Sequence, residues 1–343
     1  MKPAYIADLQ PDQTVTSLFL VRSREVRTSG KSGASWLQLE LVDRTGSIEA
    51  KMWDNFSDVA ATFDRDDIVK VRARVKVYRG RQELTVEQIA RAGEGGYDLE
   101  DFLPHTKKDV AQLYAQLREA VNAVADPWLK KLLVSVVEDP AILPKLKRAP
   151  AAMTMHHAYL GGLLEHIVSL CGLVRAARAH YPEVNGDLLI AAAVLHDIGK
   201  IDELAYERAF SYTTEGELLG HIVIALALVR RKIEALPGFP APLLAVLEHL
   251  IISHHGSYEF GSPRLPMFPE AVLFHYLDDL DSKMGAMRAS LGSERGEREW
   301  TERNPSLRRT LLRVEDYLHP ASETAAAPNG TLFGEPNPRT PKR

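Results

Sequence analysis

The sequence predicts a small all-β barrel followed by an all-α domain. Three observations carry that expectation. Residues 13–92 hold β-branched stretches of period two, separated by turn signals. From GEGGYD at 93–98 onward, the apolar periods become helical. Several of those later helices are apolar on every side, yet each carries a histidine or an aspartate.

The barrel comes first. TVTSLFLVRSREV, SWLQLELVDRTGSIEAKMW, DIVKVRARVKVY and QELTVEQIA read as about five strands. TSGKSGAS at 28–35, DRTG at 43–46 and YRGRQ at 78–82 supply the turns, and DNFSDVAATF at 54–63 a short helix. Short strands in about 80 residues suit a small closed barrel, assigned to residues 1–93. DVAQLYAQLREAVNAV and PWLKKLLVSVVED then read as amphipathic helices, and Pro140, Pro144 and Pro150 punctuate the chain after them. The helical domain is assigned to residues 94–318. Within it, 290–305 reads as a surface loop or solvated helix. Residues 319–343 have the Pro-rich, small and polar composition of a disordered tail.

Composition narrows the function classes. The 343 residues are 45% hydrophobic and 26% charged, with a formal net charge of −4. No global basic field draws in nucleic acid, so such binding needs a local patch. The single cysteine, Cys171, excludes an internal disulfide and suits a reducing compartment. The N-terminal stretch lacks a signal-peptide core, and no run reaches the roughly 18 apolar residues of a membrane span. A cytoplasmic protein is expected, with no membrane partner.

The segment LLIAAAVLHDIGK, 188–200, runs apolar from Leu188 to Leu195 and straight into His196 and Asp197. A helix that apolar is buried, and Gly199 is expected to terminate it. A carboxylate there opposes the helix dipole and loses its hydration, so something positive must offset it. Lys200 is one answer; a divalent cation is a better one, because it also uses the imidazole. For one such pair alone, a hydrogen-bonded core histidine is the more ordinary explanation. The pattern repeats, however. His166 lies in GGLLEHIVSLCGLV, His221 in ELLGHIVIALALV, His254 and His255 end LLAVLEHLIISHHG, and Asp278 lies in PEAVLFHYLDDLDSK. Imidazole and carboxylate together suit Mn, Fe, Mg or Zn.

These residues resemble the HD phosphohydrolase superfamily. HHAYLGGLLEH, AAAVLHDIGK, GHI, ISHHG, GSP and PEAVLFHYLDDLDSK, behind a small barrel, are similar to the YhaM-type 3′–5′ exoribonucleases, over roughly residues 10–288, and that resemblance implies an N-terminal OB-fold barrel joined to an all-α HD domain. The resemblance implies one metal held by His166, His196, Asp197 and Asp278. It implies a second held by Asp197, His221, His254 and His255. Two ions are expected, manganese first, with iron, magnesium or cobalt as alternatives. The implied substrate is single-stranded RNA, with single-stranded DNA as the alternative, and the product a nucleoside 5′-monophosphate. Polarity rests on the resemblance alone.

Several residues admit two readings. Asp279 and Asp281 compete with Asp278; on a helix 278 and 281 share a face, and 279 lies about 100° round. Motif position favours Asp278, with Asp281 orienting a ligand. His249 and His275 read as packing or orienting residues, and Gly161 and Gly162 as close-approach or turn positions. His156 and His157 precede the first ligand helix and are candidates for lining a substrate cleft, with His157 named as a substrate contact, although a place away from the cleft is the more ordinary reading. Lys200, assigned with Asp197 to catalysis, can reach a phosphate; Arg264 and Lys283 are weaker choices for that contact.

In the barrel, Val69, Val71, Ala73 and Val75 alternate with Lys70, Arg72, Arg74 and Lys76, and Arg79 and Arg81 extend the cations. That places four cations on one strand face. Tyr78, Trp36 and Trp53 are available for base stacking. Against this, outer strand faces are often Lys/Arg-rich, and Trp36 fits a core. Two rivals remain: a phosphohydrolase of free or cyclic nucleotides with the same metal set, and a non-catalytic single-strand-binding protein. A homo-oligomer is left open.

Overall fold

The computed structural model describes residues 2–30, 33–78, 80–93, 95–153, 157–292, 299–304 and 307–319. The first domain is a closed five-stranded barrel. Its strands are β1 (Thr14–Thr28), β2 (Ser35–Asp43), β3 (Gly46–Met52), β4 (Ile68–Tyr78) and β5 (Arg81–Arg91), in the order β1-β2-β3-β5-β4. β3 and β5 pair in parallel; the other neighbours are antiparallel. The short helix α1 (Phe56–Ala60) sits between β3 and β4. Alternation sets the inside: Val69, Val71, Ala73 and Val75 are buried beside Phe19, Leu37, Leu39, Leu41 and Leu84, while Lys70, Arg72, Arg74 and Lys76 face out.

The second domain is helical. It comprises α2 (Val110–Asn122), α3 (Pro127–Val137), α4 (Leu143–Leu146), α5 (Gly162–His180), α6 (Gly186–Leu195) and α7 (Lys200–Glu203). After a minimal hairpin, β6 (Leu204–Ala205) and β7 (Ser211–Tyr212), come α8 (Thr214–Glu234), α9 (Ala241–Ser253) and α10 (Pro269–Gly292). Asp109, Asp126, Asn185 and Thr213 cap α2, α3, α6 and α8 by accepting backbone N–H bonds, each worth about 0.5–2 kcal/mol. α6 is the apolar segment that runs into His196 and Asp197. Ala191 to Leu195 are at most 1% exposed, and the helix packs against α3, α5 and α9.

The two domains share one apolar core. Leu20, Val42 and Ile68 of the barrel belong to the same buried cluster as Phe102 and Leu103 of the connecting segment and the helical core residues Leu113, Leu160 and Leu163. Asp67, at the start of β4, also accepts ion pairs from Arg91 at 3.1 Å and from Arg208 of the β6–β7 hairpin at 3.3 Å.

Residues from Ala286 form a separate compact unit. It includes bridges between Trp300 and Leu312 and between Asn304 and Arg309, and the helix α11 (Val314–Leu318). Of the tail assigned to 319–343, residues 320–343 lie outside the described residues, as do 293–298 and 305 within 290–305. Among the described residues no helix is long and apolar enough to cross a membrane.

Candidate metal centre

Seven side chains named from the sequence, carried by or directly following five helices, converge on one place. α5 contributes His166; His196 and Asp197 follow α6; α8 contributes His221; His254 and His255 close α9; α10 contributes Asp278. They form two neighbouring groups. His166, His196 and Asp197 offer ligand atoms within 4.8 Å of one another, and so do His221, His254 and His255. Asp278 Oδ1 adds to the first group, 3.1 Å from His166 Nε2 and 3.8 Å from His196 Nε2. Asp197 lies between the groups. Its Oδ1 is 3.4 Å from His221 Nε2 and 3.7 Å from His254 Nε2, while its Oδ2 is 3.3 Å from His196 Nε2. One carboxylate thus faces both histidine sets.

Each imidazole is oriented through its other nitrogen. The Nδ1 atoms of His254 and His255 donate to the carbonyls of Ile251 and Phe260, both at 2.7 Å. His196 Nδ1 donates to Ala192 and Ala193 carbonyls at 3.2 Å. His166 Nδ1 donates to Asp281 Oδ2 at 2.8 Å, and His221 Nδ1 to Glu203 Oε1 at 3.1 Å. All these partners are acceptors, so in His196, His221, His254 and His255 the ring proton sits on Nδ1 and the Nε2 lone pair points inward. His166 has a carboxylate on each nitrogen, Asp281 at Nδ1 and Asp278 at Nε2; burial opposes its charge, but these push it up to about 9. His196 Nε2, His221 Nε2, His254 Nε2, Asp197 Oδ1 and Asp278 Oδ1 are buried without a hydrogen-bond partner among the described residues. A buried polar atom left so costs about 1–3 kcal/mol. Five in one place make a donor set of lone pairs and negative charge, which a divalent cation satisfies and a protein hydrogen bond does not.

The charges agree. Burial opposes ionisation of Asp197, but Lys200, His196 and His221 hold its carboxyl well below the usual range. Lys200 Nζ lies 2.6 Å from Asp197 Oδ2; burial works against its charge, and Asp197 more than restores it. Asp278 is likewise held low by His166 and His196 against the cost of burial. Burial, with His255 and His196 alongside, pushes His254 well below its ordinary value, which keeps its Nε2 lone pair available.

Three glycines fix this geometry. Gly199 does not terminate α6 through a left-handed turn, as its place in the sequence suggests; its φ is −63° and its ψ −20°. Its missing side chain lets α8 approach: a Cβ there would lie 2.1 Å from the His221 carbonyl oxygen. Gly220, inside α8, has φ 71° and ψ 159° and kinks the helix. The kink turns the His221 N–H to Glu203 Oε1, at 2.9 Å. At the head of α5, a Cβ on Gly162 would meet the His157 carbonyl oxygen at 2.1 Å.

The remaining named residues surround this set. Asp281 bonds the Nδ1 side of His166 rather than the inward side. His249 Nε2 accepts from the Met267 N–H, and His275 Nδ1 donates to the His254 carbonyl. His157 is buried against Asp281 at 3.2 Å instead of lining an open cleft, a correction to its expected place; His156 lies outside the described residues. Arg264 is exposed on the loop after α9, and Lys283 is exposed and paired with Asp279 at 2.6 Å, so neither joins the cluster. Glu203 escapes sequence reasoning. Its one sequence signal is an acid three residues after Lys200, which reads equally well as a solvated charge.

On the barrel, Lys70, Arg72, Arg74 and Lys76 form an exposed row on β4. Arg72 is paired with Glu87 at 3.1 Å and Arg74 with Asp12 at 3.5 Å. Tyr78 and Arg81 instead line an open groove with Arg27 and Lys51, among Glu25, Glu40, Glu49 and Glu83; the β4 row is not part of it. Trp36 is not core: it is half-buried and lies against the exposed Trp53, ring centroids 5.1 Å apart. Trp36 continues the outward row of Gln38, which bonds its indole at 3.2 Å. Arg79 lies outside the described residues.

Comparison with known proteins places these two halves in families. Residues 20–91 match an OB-fold nucleic acid binding domain, and residues 163–321 match the HD domain. The chain is 35% identical over 275 residues to the 3′–5′ exoribonuclease YhaM of Geobacillus sp., covering 80% of this chain and 84% of that protein. It is 36% identical over 280 residues to the protein of the same name from Bacillus velezensis, covering 81% and 88%.

Proposed function

The chain belongs to the YhaM 3′–5′ exoribonuclease family, and on that premise we propose that it is a divalent-metal-dependent exoribonuclease acting on single-stranded RNA from the 3′ end. The observation that carries the reading is the cluster of buried, unsatisfied Nε2 and carboxylate oxygens centred on Asp197.

His166, His196, Asp197 and Asp278 would hold one ion, and Asp197, His221, His254 and His255 a second. Manganese is the first choice for a set of imidazoles and carboxylates. Bound ions would supply Lewis-acid activation of water and neutralise phosphoryl charge. The protein's part is positional. Asp197 directs one oxygen to each histidine group, and Glu203 and Asp281 hold the rings of His221 and His166. Lys200 keeps an ammonium beside Asp197 Oδ2, where it favours approach of a phosphodiester anion. In the reaction, the oxygen of water bonds to phosphorus and the bond from phosphorus to the preceding 3′ oxygen breaks. The proton passes to that oxygen. The shortened strand keeps a 3′ hydroxyl, and the released unit is a nucleoside 5′-monophosphate.

The barrel would grip the strand. Trp36, Trp53 and Tyr78 present aromatic surface to bases, and Arg81, Arg27 and Lys51 line the adjacent groove, the arrangement OB-folds use for single strands. Lys70 and Lys76, exposed on β4, add longer-range attraction.

One assay tests the whole reading. The metal-stripped protein is supplied with Mn²⁺, Mg²⁺ or Fe²⁺ and a 5′-labelled single strand. A ladder shortening from the 3′ end supports it. Internal cuts, or an unchanged strand alongside hydrolysis of mononucleotides, would replace it with a small-nucleotide phosphohydrolase. Binding without hydrolysis at any metal would leave a strand-binding protein.

A further inference from the structure

A third group of ligand-type side chains, His157, His166 and Asp281, is fully buried beside the centre. His166 turns its Nε2 to the centre, and its Nδ1 and His157 Nε2 meet the same Asp281 oxygen at hydrogen-bond distances of 2.8 and 3.2 Å, so these side chains read as a hydrogen-bonded support of the centre rather than a third ion site. The other Asp281 oxygen accepts from Ser169 at 2.5 Å. The chain of contacts then continues away from the centre. His157 Nδ1 is 2.7 Å from the Tyr159 hydroxyl, which donates to Glu165 Oε2 at 2.9 Å. Glu165 is 7% exposed, an unusual place for a carboxylate adjoining a metal-type histidine. It is held by the Thr106 hydroxyl at 2.5 Å and by the Lys108 ammonium at 2.9 Å. Burial opposes its charge, and Thr106, Lys108 and Tyr159 keep it ionised.

Thr106 and Lys108 belong to the segment that connects the barrel to the helical domain. Thr106, Lys108, His157 and Tyr159 all precede residue 163, where the match to the HD domain begins. Backbone pairing reinforces the tie: the Thr106 N–H donates to the Leu160 carbonyl at 2.9 Å, and the Leu160 N–H to that of Pro104 at 2.8 Å.

Resting on the metal reading of the centre, we propose that Tyr159 and Glu165, anchored by Thr106 and Lys108, are positioning residues for His166. The connecting segment thereby becomes part of the metal centre's support. Partners that orient a ligand histidine typically carry a 10–100-fold effect on metal affinity. Tyr159 reaches His166 through His157 and Asp281, and Glu165 through those two and Tyr159, so an effect of about 10-fold, the low end of that range, is the expectation.

The test is Mn²⁺ calorimetry on the metal-stripped full-length chain, with far-UV circular dichroism and thermal melts of each variant. Tyr159→Phe and Glu165→Gln should each weaken the His166 site about 10-fold and leave the other site unchanged. Lys108→Ala should weaken the same site, and Lys108→Arg should restore it. Tyr114→Phe is the control, because it removes a tyrosine hydrogen bond of similar kind, to the Val137 carbonyl at 3.2 Å, away from this network. Folded Tyr159→Phe and Glu165→Gln proteins with wild-type Mn²⁺ affinity overturn the proposal. So does an equal loss in Tyr114→Phe, which would mark the effect as general destabilisation. If Glu165→Gln does not fold, Tyr159→Phe and the Lys108 pair decide. Failure of the wild-type chain to bind Mn²⁺ at all would instead strike the metal reading itself.

Discussion

Gly220→Ala isolates one physical cause at the metal centre. Gly220 sits within α8 at φ 71° and ψ 159°, next to His221. That backbone region is essentially closed to residues with a Cβ and costs them about 1–3 kcal/mol. Beyond the local backbone, no heavy atom lies within 4 Å of where the Cβ would be, so packing against other elements adds nothing to that cost. The protein then has two choices. It can keep the kink and lose about 1–3 kcal/mol of stability, at about 2–4 °C of melting temperature per kcal/mol for a large domain. Or it can straighten the helix, turning the His221 N–H away from Glu203 and its Nε2 away from Asp197. Straightening should weaken Mn²⁺ binding about 10–100-fold. Gly172→Ala provides the opposite sign. Gly172 is exposed within α5 with open space around it, and alanine there should stabilise by about 0.5–1 kcal/mol. Thermal melts and Mn²⁺ calorimetry on both variants read the outcome. A Gly220→Ala protein with wild-type melting temperature and wild-type Mn²⁺ affinity would refute the claim that this left-handed residue aims His221.

Other expectations rest on the same geometry. Asp197→Ala removes the carboxylate facing both histidine groups, and should abolish strand degradation while single-strand affinity, measured by fluorescence anisotropy, stays within a few-fold. Stripping metal with a chelator should lower the melting temperature, and Mn²⁺ at about 100 times its Kd should restore about 2.7 kcal/mol; a melt indifferent to metal would count against a bound ion. Tyr78→Ala should weaken RNA binding by about 1–3 kcal/mol if a base stacks there. Arg72→Ala combined with Arg74→Ala should matter less, because Glu87 and Asp12 already engage both side chains; the reverse ranking would move the strand to the β4 face.

The barrel and its alternation are readable because period two places Lys70 to Lys76 outside and Val69 to Val75 inside whatever the rest of the chain does. The helices carrying histidine and aspartate are readable because a charge in an apolar run has to be compensated. Contacts between segments are not. Glu203 reaches His221 only because Gly220 kinks α8 and the missing side chain of Gly199 lets that helix come close. Gly199 reads as a helix terminator because sequence registers a glycine's freedom to turn, not its smallness against a neighbour. Only proximity in sequence to the first ligand helix points His157 toward a cleft. Its burial depends on Asp281, which lies 124 residues away.

The shared core of Leu20, Val42, Ile68 and the helical residues means that the two halves do not swing on a tether. If the barrel holds the strand as proposed, the distance from that hold to the metal centre is fixed, like the gap of a caliper. A strand too short to span it loses one of its two holds, so trimming should slow sharply at a characteristic remnant length.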